Sequence, residues 1–565
     1  MTMTTQVDVL IAGAGPTGLT LACDLLRRGL SVQLIDAHTE TAPNSRAVAV
    51  HARTLEMLEM LGVTQELLPL GKTLHGVTVF AEGEPIARAD FDELDSAYKH
   101  VLCVPQTDTE ACLTRAFEAL GGKVDRGVKL TSFRQDGTGV TVELLRGENK
   151  ETARAAWLVG CDGAQSAVRK KLEIAFEEGS YDDDFVLADL KITWDVRDDR
   201  VSAFLGEDGV FACFPMPGGT YRIIASLPAE ARESKAAPTL SDMQTLFAQR
   251  TGKNGTLSDA TWIARFKANA RQVKNYRDDR VFLAGDAAHV HGPSGGQGLN
   301  AGIQDALNLG WKLALVHQGH ARGLLLGTYQ LERHGAGRAV IRATDVAAKM
   351  ANAKGSVSKG ARNELARFLS AFEVVQARAA KDISDLGINY EQSPIVREDK
   401  TGLLNARLGS AAGGDTPTLG SVREFAVAPA AGQRAPDGKI TLAGQGGTQR
   451  LLSLLDGKKH ALLLFDGRSH SAEGYARFTS LAATVNAQFG DAIGVWVVTP
   501  RSARPAEIPN DVPVLLDPDA DLEKRYAATT ECVYLIRPDG YIAYRSQPCD
   551  EGKLTDYLKS VFRSA

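Results

Sequence analysis

Residues 7 to 36 read as strand, turn, helix and strand, and the turn carries three glycines at fixed spacing. Val7-Asp8-Val9-Leu10-Ile11-Ala12 is apolar and β-prone, and Gly13-Ala14-Gly15-Pro16-Thr17-Gly18 follows it directly. Side chains at these glycines would block the tight turn and hold a pyrophosphate away from the helix N-terminus, where unpaired N–H groups and the helix dipole bind anions. Leu21, Ala22, Leu25 and Leu26 share one helical face, Arg27 and Arg28 suit its negative end, and Gly29 can supply a left-handed cap. Asp36 closes the second strand 23 residues after Gly13, where a carboxylate can accept ribose hydroxyl hydrogen bonds. In this order the elements point to dinucleotide binding through Gly13, Gly15, Pro16, Gly18 and Asp36.

One such unit cannot account for 565 residues. Single cores stop growing near roughly 250–300 residues, so two or three domains are expected. Hydrophobic residues make up 44% and charged residues 24%, as in ordinary globular chains. With 64 basic against 69 acidic residues there is no basic excess for nucleic acid or an anionic membrane. No run reaches the roughly 18 apolar residues that cross a bilayer, and Val7 to Ala14 lacks the basic leader and cleavage site of a signal peptide. A soluble, cytoplasmic protein is expected. Seven scattered cysteines without C-x-x-C spacing read as reduced thiols rather than disulfides or a zinc site.

Further along, a helix is expected over Arg53 to Leu61, and Thr107-Asp108-Thr109-Glu110 has capping-box spacing before the stripe Leu113, Phe117, Leu120. From about 180 to 280 short alternating runs, such as Phe211-Ala212-Cys213-Phe214 and Tyr221-Arg222-Ile223-Ile224 around Pro217-Gly218-Gly219, suggest a mostly antiparallel sheet. A long helix should run from Gly298 towards Val316. Between about 405 and 437 Gly, Ala, Pro and Ser dominate, which reads as a linker. Beyond it come strand (His460 to Phe465), helix, strand (Ile493 to Val498), helix, a hairpin turning on Arg537-Pro538-Asp539-Gly540, and a last helix.

Two more segments bear on the nucleotide: Gly160-Cys161-Asp162-Gly163-Ala164-Gln165-Ser166 and Val281-Phe282-Leu283-Ala284-Gly285-Asp286-Ala287-Ala288-His289. With the first, they resemble the three fingerprints of the p-hydroxybenzoate hydroxylase-like flavoprotein monooxygenases, a likeness that spans nearly the whole chain. The resemblance implies that Gly285 and Asp286 hold the ribityl chain of FAD, and that Asp162 and Gly163 serve FAD and the reductant. A helix cap is the plainer role for Asp162. A carboxylate beside a glycine can accept ribityl hydroxyls at close range. The glycine-rich loop Pro293-Ser294-Gly295-Gly296-Gln297-Gly298-Leu299-Asn300 opens a helix, so its N–H groups can face the anionic edge of reduced flavin. By resemblance Pro293, Gly298, Leu299 and Asn300 lie beside the isoalloxazine ring, Arg46 near the FAD phosphates and Gln106 against the flavin.

The implied fold is α/β. A Rossmann-like FAD-binding domain (1–75, 100–180 and 275–400) is interleaved with a mostly antiparallel β-sheet substrate domain (76–99 and 181–274), followed by a linker (401–437) and a thioredoxin-like domain (438–565). That last domain has Asp466-Gly467-Arg468-Ser469-His470 where a thioredoxin has C-x-x-C, so a structural or dimer-supporting role is expected and a homodimer is allowed. The family's helix ending, an acidic-basic pair followed by proline, stands here as Glu332-Arg333-His334, without the proline.

The implied activity is an NADPH- or NADH-consuming, O2-using hydroxylation of a small phenolic substrate through a flavin C4a-hydroperoxide. Two rivals are hydroxylation or Baeyer-Villiger oxidation of a polycyclic polyketide, and a non-catalytic FAD-binding accessory or redox sensor. Phe211, Phe214, Pro215, Met216 and Tyr221 are candidates for the substrate wall, against a plain core role for each. His289, Pro293, Arg222 and Tyr221 are candidate catalytic residues. His289 and His291 have the spacing of a metal pair but no third ligand, so no metal is expected. Gly444-Gln445-Gly446-Gly447, with Asp466 at 22 residues' distance, imitates a second dinucleotide motif but lacks its third glycine.

Overall fold

The computed structural model describes residues 3–43, 47–177, 182–206, 209–227, 237–269, 271–290, 296–337, 381, 383–400, 418–468 and 472–564. They gather into two compact units, Met1–Leu307 with His334–Gly387, and Asn308–Arg333 with Ile388–Ala565.

In the first unit the strands Val281–Leu283, Asn149–Gly160, Met3–Ala12, Val32–Asp36 and Val124–Arg126 lie side by side in that order, all parallel to their neighbours. Their runs are apolar because a parallel sheet is covered on both faces, and Val9, Leu10 and Ile11 are fully buried. Registers pair Ala12 with Ile35 and Gly160, and Gly160 with Leu283. One row of strand ends therefore launches the glycine turn, Asp36 and the second and third motifs. Helix Pro16–Leu26 packs on helix Gln106–Ala119 behind that row.

The same unit holds a seven-stranded sheet of Gly255–Asn269, Asp182–Trp194, Tyr221–Ser226, Gly209–Pro215, Val201–Gly206, Gly76–Ala81 and Glu84–Asp90. Every pair is antiparallel except Val201–Gly206 with Gly76–Ala81. Strand alternation divides its side chains between two cores. On one face Val186, Leu190, Phe204, Phe211, Tyr221 and Ile223 pack with Met243 and Phe247 of helix Leu240–Thr251, which Thr239 and Asp242 cap reciprocally. On the other, Phe185, Leu187, Phe214, Met216, Ile224 and Phe266 meet Val48, Leu74 and Cys103, the last three lying beside or on the small sheet of Ala49–Val50, Val101–Cys103 and Lys72–Leu74.

The second unit is built on an eight-stranded sheet whose centre, His460–Phe465, runs parallel to Ile493–Thr499 and antiparallel to Cys532–Ile536. Leu462 and Leu464 point into a core with Tyr475, Phe478, Leu554 and Leu558, contributed by helices Ala472–Phe489 and Glu551–Val561. Ala461, Leu463 and Phe465 point the other way. This is the thioredoxin-like arrangement that the family resemblance implied.

Within the stretch read as linker, residues 401–417 lie outside the described residues, and Leu419–Val427 is a helix capped by Thr418 and Ser421. Its Phe425 is buried, and the Arg545 guanidinium donates to the carbonyls of Phe425 and Ala428. Composition hides the helix, since its signal is only a cap and one aromatic residue in a segment rich in small residues. Gly444 and Gly447 prove to be hairpin glycines with positive φ between the paired strands Lys439–Leu442 and Gln449–Arg450.

Glu332 shows what the family's acidic-basic helix ending does in this chain. Its carboxylate accepts two hydrogen bonds from Arg537, both at 2.8 Å, and others from Lys312, Asn308 and Ser393, all at 2.7 Å. Arg537 also pairs with Asp539, which accepts from Trp311 Nε1 at 3.2 Å. Burial alone would raise the Glu332 carboxyl, but Arg537 and Lys312 hold it well below the usual carboxylate range.

Two buried cations thus balance two buried anions, an arrangement far costlier to halve than to replace. Glu332→Gln should lower the unfolding free energy by about 3–5 kcal/mol, read from the urea midpoint at constant slope. Lys312→Met should cost much less, because burial already pushes that amine down to about 8. The unfolded chain keeps the lysine proton to about pH 10.4, so the contribution of Lys312 itself should grow as pH rises from about 8 towards that value, and the stability of the wild type relative to Lys312→Met should rise over the same range.

Candidate active site

Gly13 turns with φ 104° and donates its N–H to the Ile35 carbonyl, while Cys161 donates back to the Ala12 carbonyl at 2.7 Å. A β-carbon on Gly13 would land on the Cys161 carbonyl, and its third-nearest contact would be Asp162 Cα at 2.8 Å. One on Gly18 would land on the Gly13 carbonyl oxygen. Gly15 differs, because a β-carbon there meets nothing within 4 Å. The outer two glycines are demanded by protein packing and the middle one by open space, at the cap of helix Pro16–Leu26 where no side chain covers the first amides. That is the cradle a pyrophosphate requires. Asp36 helps to shape the turn, accepting from the N–H of Ala14 and of His38, both at 2.8 Å.

The second motif abuts the first. Asp162 Oδ2 accepts from the amides of Ala167 and Val168 at 2.7 and 3.2 Å, so it does cap helix Ala167–Lys171. Its Oδ1 is buried and has no hydrogen-bond partner among the described residues. Gly163, with φ 74°, faces open space. Arg169 donates to the carbonyls of Ala164 and Ala287 at 2.9 and 3.3 Å, which ties the second motif to the third. Cys161 is no nucleophile, since burial, with Asp162 and Asp305 adding to it, pushes its thiol well above the ordinary range.

The third motif closes the site. A β-carbon on Gly285 would lie 2.6 Å from Thr17 Oγ1, and one on Gly298 would lie 3.9 Å from Asp286 Oδ1. From residue 281 to 289 Asp286 alone is exposed. Gly13, Asp162 and Asp286 therefore belong to three abutting turns. Gly298 and Leu299 open helix Gln297–His317 and are half-buried. Asn300 is fully buried, donating to the carbonyls of Ala49 and Gly296 at 2.8 Å and accepting from the His51 amide at 2.9 Å. It secures the start of helix Gln297–His317 to strand Ala49–Val50. Arg46, His291 and Pro293 lie outside the described residues.

Gln106 opens its helix and donates to Glu110 at 2.7 Å. Burial raises the Glu110 carboxyl, and Gln106, Arg126 and Asp36 all act on it, so these four groups share one neighbourhood. Glu110 escaped the sequence reading because it looks like one more residue of a capping box. Thr17, Arg169 and Asp305 escaped for a similar reason, as their partners are distant in the chain.

The substrate-wall candidates divide by strand parity. Phe211 and Tyr221 point towards helix Leu240–Thr251, whereas Phe214 and Met216 share the opposite face with Val48, Leu74 and Cys103. Pro215 is buried at the strand end, paired with Tyr221. Arg222 also lies on the second face by register, paired across the strands with Asp189 and Phe214. It makes a two-point bond to Asp189 at 2.7 and 2.6 Å, with its guanidinium 5.3 Å from the Trp262 ring centre. His289 is buried against Asp305, with Nε2 2.6 Å from Oδ2.

These residues fit FAD: an open glycine at a bare helix N-terminus, an orphaned carboxylate oxygen at Asp162 and an exposed carboxylate at Asp286 match its phosphates and hydroxyls. No group of residues among those described is placed to hold a metal ion, and no described helix is long and apolar enough to cross a membrane. All seven cysteines carry free thiols.

Residues 6–344 match the model of the FAD binding domain, and residues 428–565 that of the aromatic-ring hydroxylase C-terminal domain. The chain is 32% identical to a 6-methylpretetramide 4-monooxygenase of Streptomyces rimosus over 98% of this chain and 93% of that protein. It is 36% identical to a pentachlorophenol 4-monooxygenase of Sphingobium chlorophenolicum over 58% of this chain and 61% of that protein. The solved anhydrotetracycline hydroxylase from Streptomyces rimosus superposes with a TM-score of 0.72 at 31% identity, covering 99% of both chains. With its motifs assembled as that fold requires, the chain belongs to the FAD-dependent aromatic-ring hydroxylases, NAD(P)H-consuming monooxygenases that use O2.

Proposed function

We propose that this enzyme hydroxylates a phenolic ring of a fused, multi-ring aromatic substrate. The observation that carries this reading is the likeness, over essentially the full length of both chains, to a monooxygenase named for 6-methylpretetramide and to an anhydrotetracycline hydroxylase. A monocyclic phenol is the second reading. It is favoured by the likeness to the pentachlorophenol enzyme, which covers only 61% of that protein.

Bound FAD supplies the electron transfer from NAD(P)H and the activation of O2. The chain's residues hold and shield it. Amides at the N-terminus of helix Pro16–Leu26 would hold the pyrophosphate, Asp286 would accept ribityl hydroxyls, and the first amides of helix Gln297–His317 would stabilise negative charge on the reduced cofactor. The sheet face bearing Phe214, Met216, Trp262 and Phe266 forms the apolar wall that excludes water from the reacting ring. Arg222, paired with Asp189, lies on the same sheet face by register and would stabilise negative charge on the phenolic oxygen as the ring is attacked. Phe211 and Tyr221 act behind this wall by fixing the sheet on its helix. A cytoplasmic location accompanies this reading, because NAD(P)H is regenerated inside the cell, and a homodimer is the proposed assembly.

A panel of mono- and polycyclic phenols, followed by NADPH consumption, H2O2 release and product mass, tests the substrate class. One oxygen gained only by multi-ring compounds is the expected result, and coupled turnover of simple phenols alone would refute it. Arg222→Met should lower kcat/KM by about 10- to 100-fold, the worth of a charged hydrogen bond, while the flavin spectrum stays unchanged. Gly15→Ala should weaken FAD binding and leave the apoprotein's melting temperature in place, whereas Gly13→Ala should lower both, since only the latter forces two backbones apart.

A further inference from the structure

We propose that Asp305 is a positioning residue that holds Asp286 towards FAD. Asp305 is fully buried in helix Gln297–His317, one turn beyond Gly302, whose lack of a side chain lets the helix approach Thr17. Its Oδ2 accepts the Gly285 N–H at 3.0 Å and lies 2.6 Å from His289 Nε2. Gly285 begins the tight turn Gly285–Ala287, and His289 begins the strand that follows it. One carboxylate oxygen thus pins the turn on both sides of Asp286.

The remaining contacts make the turn rigid. Gly285 has φ 59°, the left-handed conformation that directs Asp286 outward. Ala284 donates to the Gly160 carbonyl and Ala288 to the Gly285 carbonyl. The His289 ring stacks on Tyr276 at 5.9 Å, the Tyr276 hydroxyl accepts from Gln272, and Gln272 pairs with His289 through the backbone. A wholly buried carboxylate is retained at a desolvation cost, so its bonds should define something. Here they define where the single exposed carboxylate of the motif points. Asp305 has no need to touch the cofactor.

A double-mutant cycle on the whole protein separates this from a general packing role. Apoprotein is titrated with FAD by fluorescence for wild type, Asp305→Asn, Asp286→Ala and the double variant, and apoprotein melting temperatures are measured in parallel. Asp305→Asn should weaken FAD binding at least tenfold in the wild-type background and less than twofold when Asp286 is already alanine. Equal losses in both backgrounds, no loss in either, or an Asp286→Ala variant that binds FAD like wild type would each overturn the proposal. Should Asp305→Asn fail to fold, His289→Leu enters the same cycle with the same outcomes, because it removes the contact from the other side.

Discussion

At Gly13 two stretches of backbone pass so closely that no side chain fits between them. The contact with Cys161 and Asp162 brings the ends of strands Met3–Ala12 and Asn149–Gly160 together, and Gly160 is in register with Leu283 before the third motif. Once these parallel strands are aligned, three turns distant in the chain have only one place to converge, outside the carboxyl ends of the sheet. Every later feature of the site depends on that alignment, including the bare helix N-terminus, the orphaned oxygen of Asp162 and the outward turn of Asp286.

Buried polar groups then do in two places what glycine does at the first. Asn300, Arg169 and Asp305 each join segments distant in the chain by hydrogen bonds to backbone, so the turns of the three motifs stand on a shell that is itself fixed. In the second unit, Glu332 and Arg537 form the centre of a charge-balanced cluster, around which the hairpin at Arg537-Pro538-Asp539-Gly540 is held. A dithiol is missing from this thioredoxin-like unit. At the end of its central strand Asp466 instead accepts from Tyr475 and Thr499 at 2.5 and 3.1 Å.

Much of this was legible in the chain. The glycine spacing, the acid at Asp36 and the two further motifs carry local signals, since each uses residue types that only a tight turn or a close backbone approach selects. Strand and helix order in the C-terminal part was equally readable, because its apolar periodicities are long and its hairpin has strong turn chemistry. The helix Leu419–Val427 was hidden because composition outweighed a two-residue cap. Asp162 carried two readings, and the structure has its two oxygens facing different surroundings, one capping a helix and the other left without a described partner.

The amino-acid order by itself pointed to a glycine turn of the dinucleotide-binding kind and placed Asp286 beside a turn-forming glycine, since these follow from contacts a few residues long. Which face of the sheet each aromatic residue takes was decided only by tertiary structure. Phe211 and Phe214, or Tyr221 and Arg222, are indistinguishable as apolar or polar letters in a strand, and their roles diverge because pleating sends neighbours to opposite faces and the helix Leu240–Thr251 covers just one of them.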